Sequence, residues 1–131
     1  MKILFLGSGP FGIPTLQRLH SLRDDVAVAT VPDAPHGRKR TMQPSVIKSQ
    51  AQSLGLPVFE SEKLRGAEGQ RVLEESAADL VITADIRLIL GPRFLAGAPR
   101  GCYNLHGSIL PRWRGAAPVV RGLLAGDEQL G

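Results

Sequence analysis

Short apolar runs alternate with helix-periodic stretches along this chain, and that alternation constrains the fold more than any other feature. Lys2 to Leu6 is an apolar run closed by Gly7, and Val26 to Val31 is a valine-rich run closed by Pro32. Ala78 to Ala84 and Cys102 to Leu105 are two more, and Pro57 to Phe59 is a minor one. Runs this short and bounded by breakers read as buried strands. Between them, Ile13, Leu16, Leu19 and Leu22 recur about once per helical turn, with Pro14 tolerated in the first turn. Pro44 and Ser45 open a second helix that is expected to end near Gly55. Arg65 to Ser76 reads as helical, Leu88 to Leu95 as a helix or turn, and Val119 to Ala125 as a helix starting after Pro118. Asp33 to Gln43 holds Pro35, Gly37 and a cluster of basic residues, and is expected to be a loop. Strands and helices alternating at this spacing predict an α/β fold: a Rossmann-like parallel sheet with flanking helices and right-handed crossovers.

Composition narrows the class. A chain of 131 residues with 43% hydrophobic content suits one domain, burying roughly two-thirds of its unfolded surface. No apolar stretch approaches the ~18 residues of a membrane span, and MKILFLGSG is too short for a signal-peptide core. The single cysteine, Cys102, excludes an internal disulfide and fits a reducing compartment, so a cytoplasmic location is expected. A net charge of +4 permits a nucleic-acid partner without requiring one. The closing GDEQLG is polar and contains glycine, and the domain is expected to continue past Gly131.

Two segments carry candidate chemistry. The first is the turn after the first strand, where Gly7, Gly9 and Gly12 form GxGxxG. Asp33 follows about twenty residues later, where a dinucleotide site places its ribose-binding acid. Against that, the first turn of any tightly wound sheet favours glycine, and Pro10 removes one backbone donor. The motif supports the fold strongly and a nicotinamide cofactor weakly.

The second segment is NLHGSILPRWRGAAP, Asn104 to Pro118, which opens from the last apolar run. Residues two apart on a strand share a face, so Asn104 and His106 converge above the sheet edge. An imidazole and a fixed amide donor together suit acyl transfer through a developing oxyanion. No GxSxG elbow surrounds Ser108, which argues against a serine nucleophile. Cys102 reads as a small core residue.

This run resembles the catalytic segment of the folate-dependent formyltransferases at nearly every position, most closely the branch that acts on methionyl-tRNA. The resemblance extends to GLPVFESEKLR, Gly55 to Arg65, and covers nearly the whole chain. It implies a formyltransferase-fold catalytic domain over residues 1–131, incomplete at its C-terminal end and lacking the final strands. It implies 10-formyltetrahydrofolate as formyl donor and no metal. Asn104 and His106 would be catalytic, stabilising the tetrahedral adduct. Ser108, Ile109, Leu110 and Pro111, with the backbone around Leu88 and Leu90, would line the folate pocket. The family also uses an aspartate in an LDTGD-like segment further along, which residues 1–131 do not contain; Asp127 precedes that position and is not given its role. Where the tRNA enzymes carry Tyr-Gly ahead of LIL, this chain has Asp85, Ile86 and Arg87. That charged pair either alters folate affinity or pairs internally.

The loop from Pro32 to Lys48 is similar to the one by which that branch engages the acceptor arm of initiator methionyl-tRNA. Gly37, Arg38, Pro44, Ser45 and Lys48 carry the match. Arg38, Lys39 and Arg40 would contact phosphates, releasing counterions; the competing reading is a solvated loop whose charges aid solubility. Other readings are a sugar-nucleotide or glycinamide ribonucleotide formyltransferase, a non-catalytic folate- or tRNA-binding remnant, and a nicotinamide-binding domain. The basic loop argues against the first two of these.

Overall fold

The computed structural model describes residues 1–23, 25–38 and 40–131. Its centre is a five-stranded sheet in which every neighbouring pair is parallel. The elements in chain order are β1 (Ile3–Gly7), α1 (Ile13–Leu22) after a short 3-10 turn over Pro10–Gly12, and β2 (Val26–Thr30). Then come β3 (Ala34–His36), β4 (Thr41–Gln43), α2 (Val46–Ser53), β5 (Val58–Glu60) and α3 (Gly66–Ser76). The chain closes with β6 (Leu80–Ala84), α4 (Pro92–Gly97), β7 (Cys102–Leu105) and α5 (Pro118–Leu124). The sheet order is β5-β2-β1-β6-β7. The chain first winds outward from β1 to β2 and β5, then crosses back to β6 and β7. The reversal places a topological switch point at the carboxyl ends of β1 and β6, where open α/β sheets bind ligands.

β1 is buried along its whole length, and its side chains divide by the two-residue strand period. Leu4 and Leu6 face one core with Leu64, Val72, Leu73, Val81 and Phe94, under α3 and α4. Ile3 and Phe5 face the other with Leu16, Val28, Ile47 and Ala51, under α1 and α2. Each fully buried side chain of this size is worth roughly 1.5–3 kcal/mol, so β1 anchors both layers. The Phe5 ring lies directly beneath the first βα turn. A methyl at Gly7 would come within 2.9 Å of its Cε1, and one at Gly12 within 2.9 Å of its Cζ.

The structure departs from the sequence reading in two places. Asp33 to Gln43 is not wholly loop: β3 and β4 pair as an antiparallel hairpin, register Ala34 with Gln43 and His36 with Thr41. All six strand residues are exposed, so no alternating apolar face marks them in the sequence. Pro35 is tolerated because the pair stands apart from the main sheet. Of the segment Leu88 to Leu95, expected as a helix or turn, only the part from Pro92 onward is helical. Leu90 instead forms an isolated parallel bridge to Leu64, and Leu88 and Leu90 pack against the first core. Among the described residues no helix is long and apolar enough to cross a membrane.

Candidate functional site

A cleft of about 880 Å³ opens at the switch point, within the usual range for small-molecule sites. Phe11 forms one wall, Asp85 to Arg87 another, and Asn104 to Gly107 the floor; Gly115 to Val120 close it. The structure thus brings Asn104 and His106 into one cavity.

Each of the two is held by a neighbour. β6 and β7 pair Thr83 with Asn104, and Thr83 Oγ1 donates a 2.6 Å hydrogen bond to Asn104 Oδ1. The amide oxygen is thereby occupied, which leaves the NH2 as the free donor. His106 follows β7, and its Nε2 lies 3.0 Å from the carbonyl oxygen of Trp113. A carbonyl only accepts, so Nε2 carries the proton in this contact and Nδ1 is the ring atom left for other partners.

The other expected ligand residues lie outside the cleft walls. Ser108 is 5% exposed, and its Oγ donates to Arg112 O at 2.7 Å, which closes the turn and removes the hydroxyl from nucleophilic use. Ile109 and Leu110 are 54% and 58% exposed and precede Pro111, on the same loop. Leu88 and Leu90 turn toward the core, while Ile89 between them is 73% exposed. Arg38 and Arg40 sit at the exposed turn of the β3–β4 hairpin, closed by Arg40 N–H donating to Gly37 O. Lys39 lies outside the described residues. Among the described residues, no group of three or more His, Cys, Asp or Glu is placed to hold a metal ion.

At Ser8 and Gly9 the donors of the glycine-rich turn are already engaged. Ser8 N–H, Gly9 N–H and Ser8 Oγ all donate to the carbonyl oxygen of Asp85, at 3.0–3.3 Å. The Asp85 carboxylate lies against Gly9 so closely that a methyl there would fall 1.7 Å from Oδ2. A pyrophosphate would meet occupied amides and a negative charge. Asp33, the ribose-binding candidate, is bound instead by Lys48 Nζ, which also pairs with Glu60. Those two hydrogen bonds push the Lys48 ammonium pKa above its ordinary value. Both features of the nicotinamide reading therefore have structural roles. Among the described residues Asp85 and Arg87 are not ion-paired with each other.

Sequence reasoning missed Thr83 and the Trp113 carbonyl as supports of the site. A polar residue inside the apolar run LVITA was the available signal for Thr83. Nothing in the sequence signals a backbone carbonyl.

A family model described as formyl transferase matches residues 1–131. The chain is 42% identical over its whole length to the methionyl-tRNA formyltransferase of Xanthomonas euvesicatoria pv. vesicatoria, spanning 43% of that protein. It is 45% identical to the methionyl-tRNA formyltransferase of Novosphingobium aromaticivorans, spanning 44% of that one. The chain therefore spans less than half the length of these curated relatives. Among solved structures, the phosphoribosylglycinamide formyltransferase of Streptococcus pneumoniae TIGR4 superposes with a TM-score of 0.73 at 25% identity, covering 99% of this chain and 69% of that one. With a whole-chain family match, and relatives at this identity along its full length, the chain belongs to the formyl transferase family.

Proposed function

We propose that this chain is the N-terminal catalytic part of an enzyme that formylates methionyl-initiator tRNA with 10-formyltetrahydrofolate as donor. The observation that carries the reading is whole-chain identity of 40–45% to methionyl-tRNA formyltransferases from several bacteria. The cleft supports it chemically. In the reaction the acceptor's amino nitrogen attacks the formyl carbon, and the carbonyl oxygen becomes negative. Asn104 offers a neutral N–H donor already oriented by Thr83, and His106 offers its remaining ring nitrogen as a second donor when protonated. Losing one such donor costs roughly 10²–10³ in kcat. The adduct collapses by breaking the bond between the formyl carbon and the donor's nitrogen, which takes up the proton that the attacking amine sheds, completing the transfer without a covalent enzyme intermediate. Ser108 to Pro111 and the backbone around Leu88 and Leu90 are assigned to the folate. The exposed apolar Ile89, Ile109 and Leu110 suit a flat aromatic ring system.

Arg38, Lys39 and Arg40 are assigned to tRNA phosphates. A cytoplasmic location goes with this substrate. The test is binding of initiator tRNA across a salt series. The expected result is a steep linear dependence of log K on log salt, reduced in slope by about one unit in Arg38→Ala. In parallel, a folate analogue should quench Trp113, the only tryptophan, and His106→Ala or Pro111→Ala should abolish the quenching. Retention of tRNA with an unchanged slope would remove Arg38 from the interface. Absence of both tRNA binding and folate quenching would overturn the proposal.

A further inference from the structure

The loop that holds His106 is itself held by a residue beyond α5. Trp113 has a left-handed backbone, φ +55°, a conformation non-glycine residues adopt only when their surroundings impose it. It is in this conformation that the Trp113 carbonyl reaches His106 Nε2. The side chain of the same residue is also held. Asp127 Oδ2 accepts a 2.6 Å hydrogen bond from Trp113 Nε1–H, and Asp127 Oδ1 pairs with Arg112 at 2.9 Å. The Arg112 guanidinium stacks over the indole, 5.1 Å from its centre. The Asp127 side chain is only 14% exposed. Its own N–H donates to Gly122 O, fastening it to α5. One carboxylate therefore fixes both residues on the arc from Ser108 back to His106.

We infer that Asp127 is a positioning residue: by holding Trp113 and Arg112 it aims the Trp113 carbonyl at His106 and so sets which imidazole nitrogen faces the cleft. The inference rests on the role given to His106 above, but its test needs neither donor nor acceptor. Long-range ¹H–¹⁵N spectra of the 131-residue chain read the tautomer of His106 directly, with His106→Gln assigning the signal among the three histidines. The chain itself should show the Nε2–H tautomer in excess. Asp127→Ala should lower the Nε2–H to Nδ1–H ratio roughly fivefold, the worth of one lost hydrogen bond. Asp127→Asn should restore most of it, because the amide oxygen still accepts from the indole. If Asp127→Ala fails to fold, Trp113→Phe keeps an aromatic side chain but has no N–H to donate, and should lower the ratio in the same direction. An unchanged ratio in a folded Asp127→Ala or Trp113→Phe variant overturns the inference. A shifted ratio in a chain whose longer form transfers no formyl group would instead count against the proposed reaction and leave the positioning role standing.

Discussion

Gly12→Ala tests whether the glycine-rich turn exists for packing or for phosphate. Gly12 has ordinary right-handed backbone angles, φ −79° and ψ −15°, so alanine meets no backbone strain there. On that ground alone the substitution would stabilise by about 0.4–1 kcal/mol through the unfolded chain. The new methyl, however, would sit 2.9 Å from Phe5 Cζ and 3.3 Å from both Ala84 O and Ile47 Cδ1. Phe5 is fully buried in the central strand, so its ring has no free space to move into. Overpacking of this kind costs about 1–3 kcal/mol, which leaves a net loss of about 1–2 kcal/mol. Phe5→Leu removes the ring atoms that clash and should cost about 1 kcal/mol by itself. Combined, the two should destabilise by at least about 1 kcal/mol less than their sum. Urea unfolding followed by Trp113 fluorescence and circular dichroism gives all four corners of the cycle. A stabilised Gly12→Ala chain, or strict additivity with Phe5→Leu, would refute the packing account of this glycine.

Three further predictions concern ionisable groups. The Lys48 pKa is raised above 10.5 in the fold by its hydrogen bonds to Asp33 and Glu60, so its contribution is complete below that pH and is lost as pH rises through the folded value; in urea titrations above pH 10, Lys48→Met should flatten the decline. The Asp25 carboxyl is lowered to about 2 by the hydrogen bonds from the N-terminal ammonium and Arg23. Its contribution is complete above the ordinary value of 3.8 and fades as pH falls toward 2, so Asp25→Asn should lose less stability than the parent between pH 4 and 2. Burial pushes the Cys102 thiol up, so its alkylation by iodoacetamide at pH 8 should run well below that of a free thiol and rise to it in urea; equal rates in the folded and unfolded chain would contradict the burial.

The sequence by itself determined the fold class, a parallel sheet flanked by helices, and the chain position of its main elements. Strand and helix periods are local properties, and β1, β2, β6 and β7 fall where short apolar runs end at glycine, proline or a polar residue. Asn104 and His106 stood out because they lie two apart where the last strand opens into a loop and a long motif surrounds them. What only the tertiary structure decided was how each polar group is satisfied. The β3–β4 hairpin buries none of its strand residues, so it leaves no hydrophobic signature. The amides of the glycine turn look free for an anion until β6 delivers the Asp85 carbonyl to them from 77 positions away. Asp33 looks like a ribose ligand until Lys48 closes on it. Asn104 and His106 are oriented by Thr83 and by the Trp113 carbonyl, across the sheet and across a loop. Periodicity records which face a side chain takes, whereas a hydrogen bond between distant segments depends on ångström-level registration that exists only once the chain has packed.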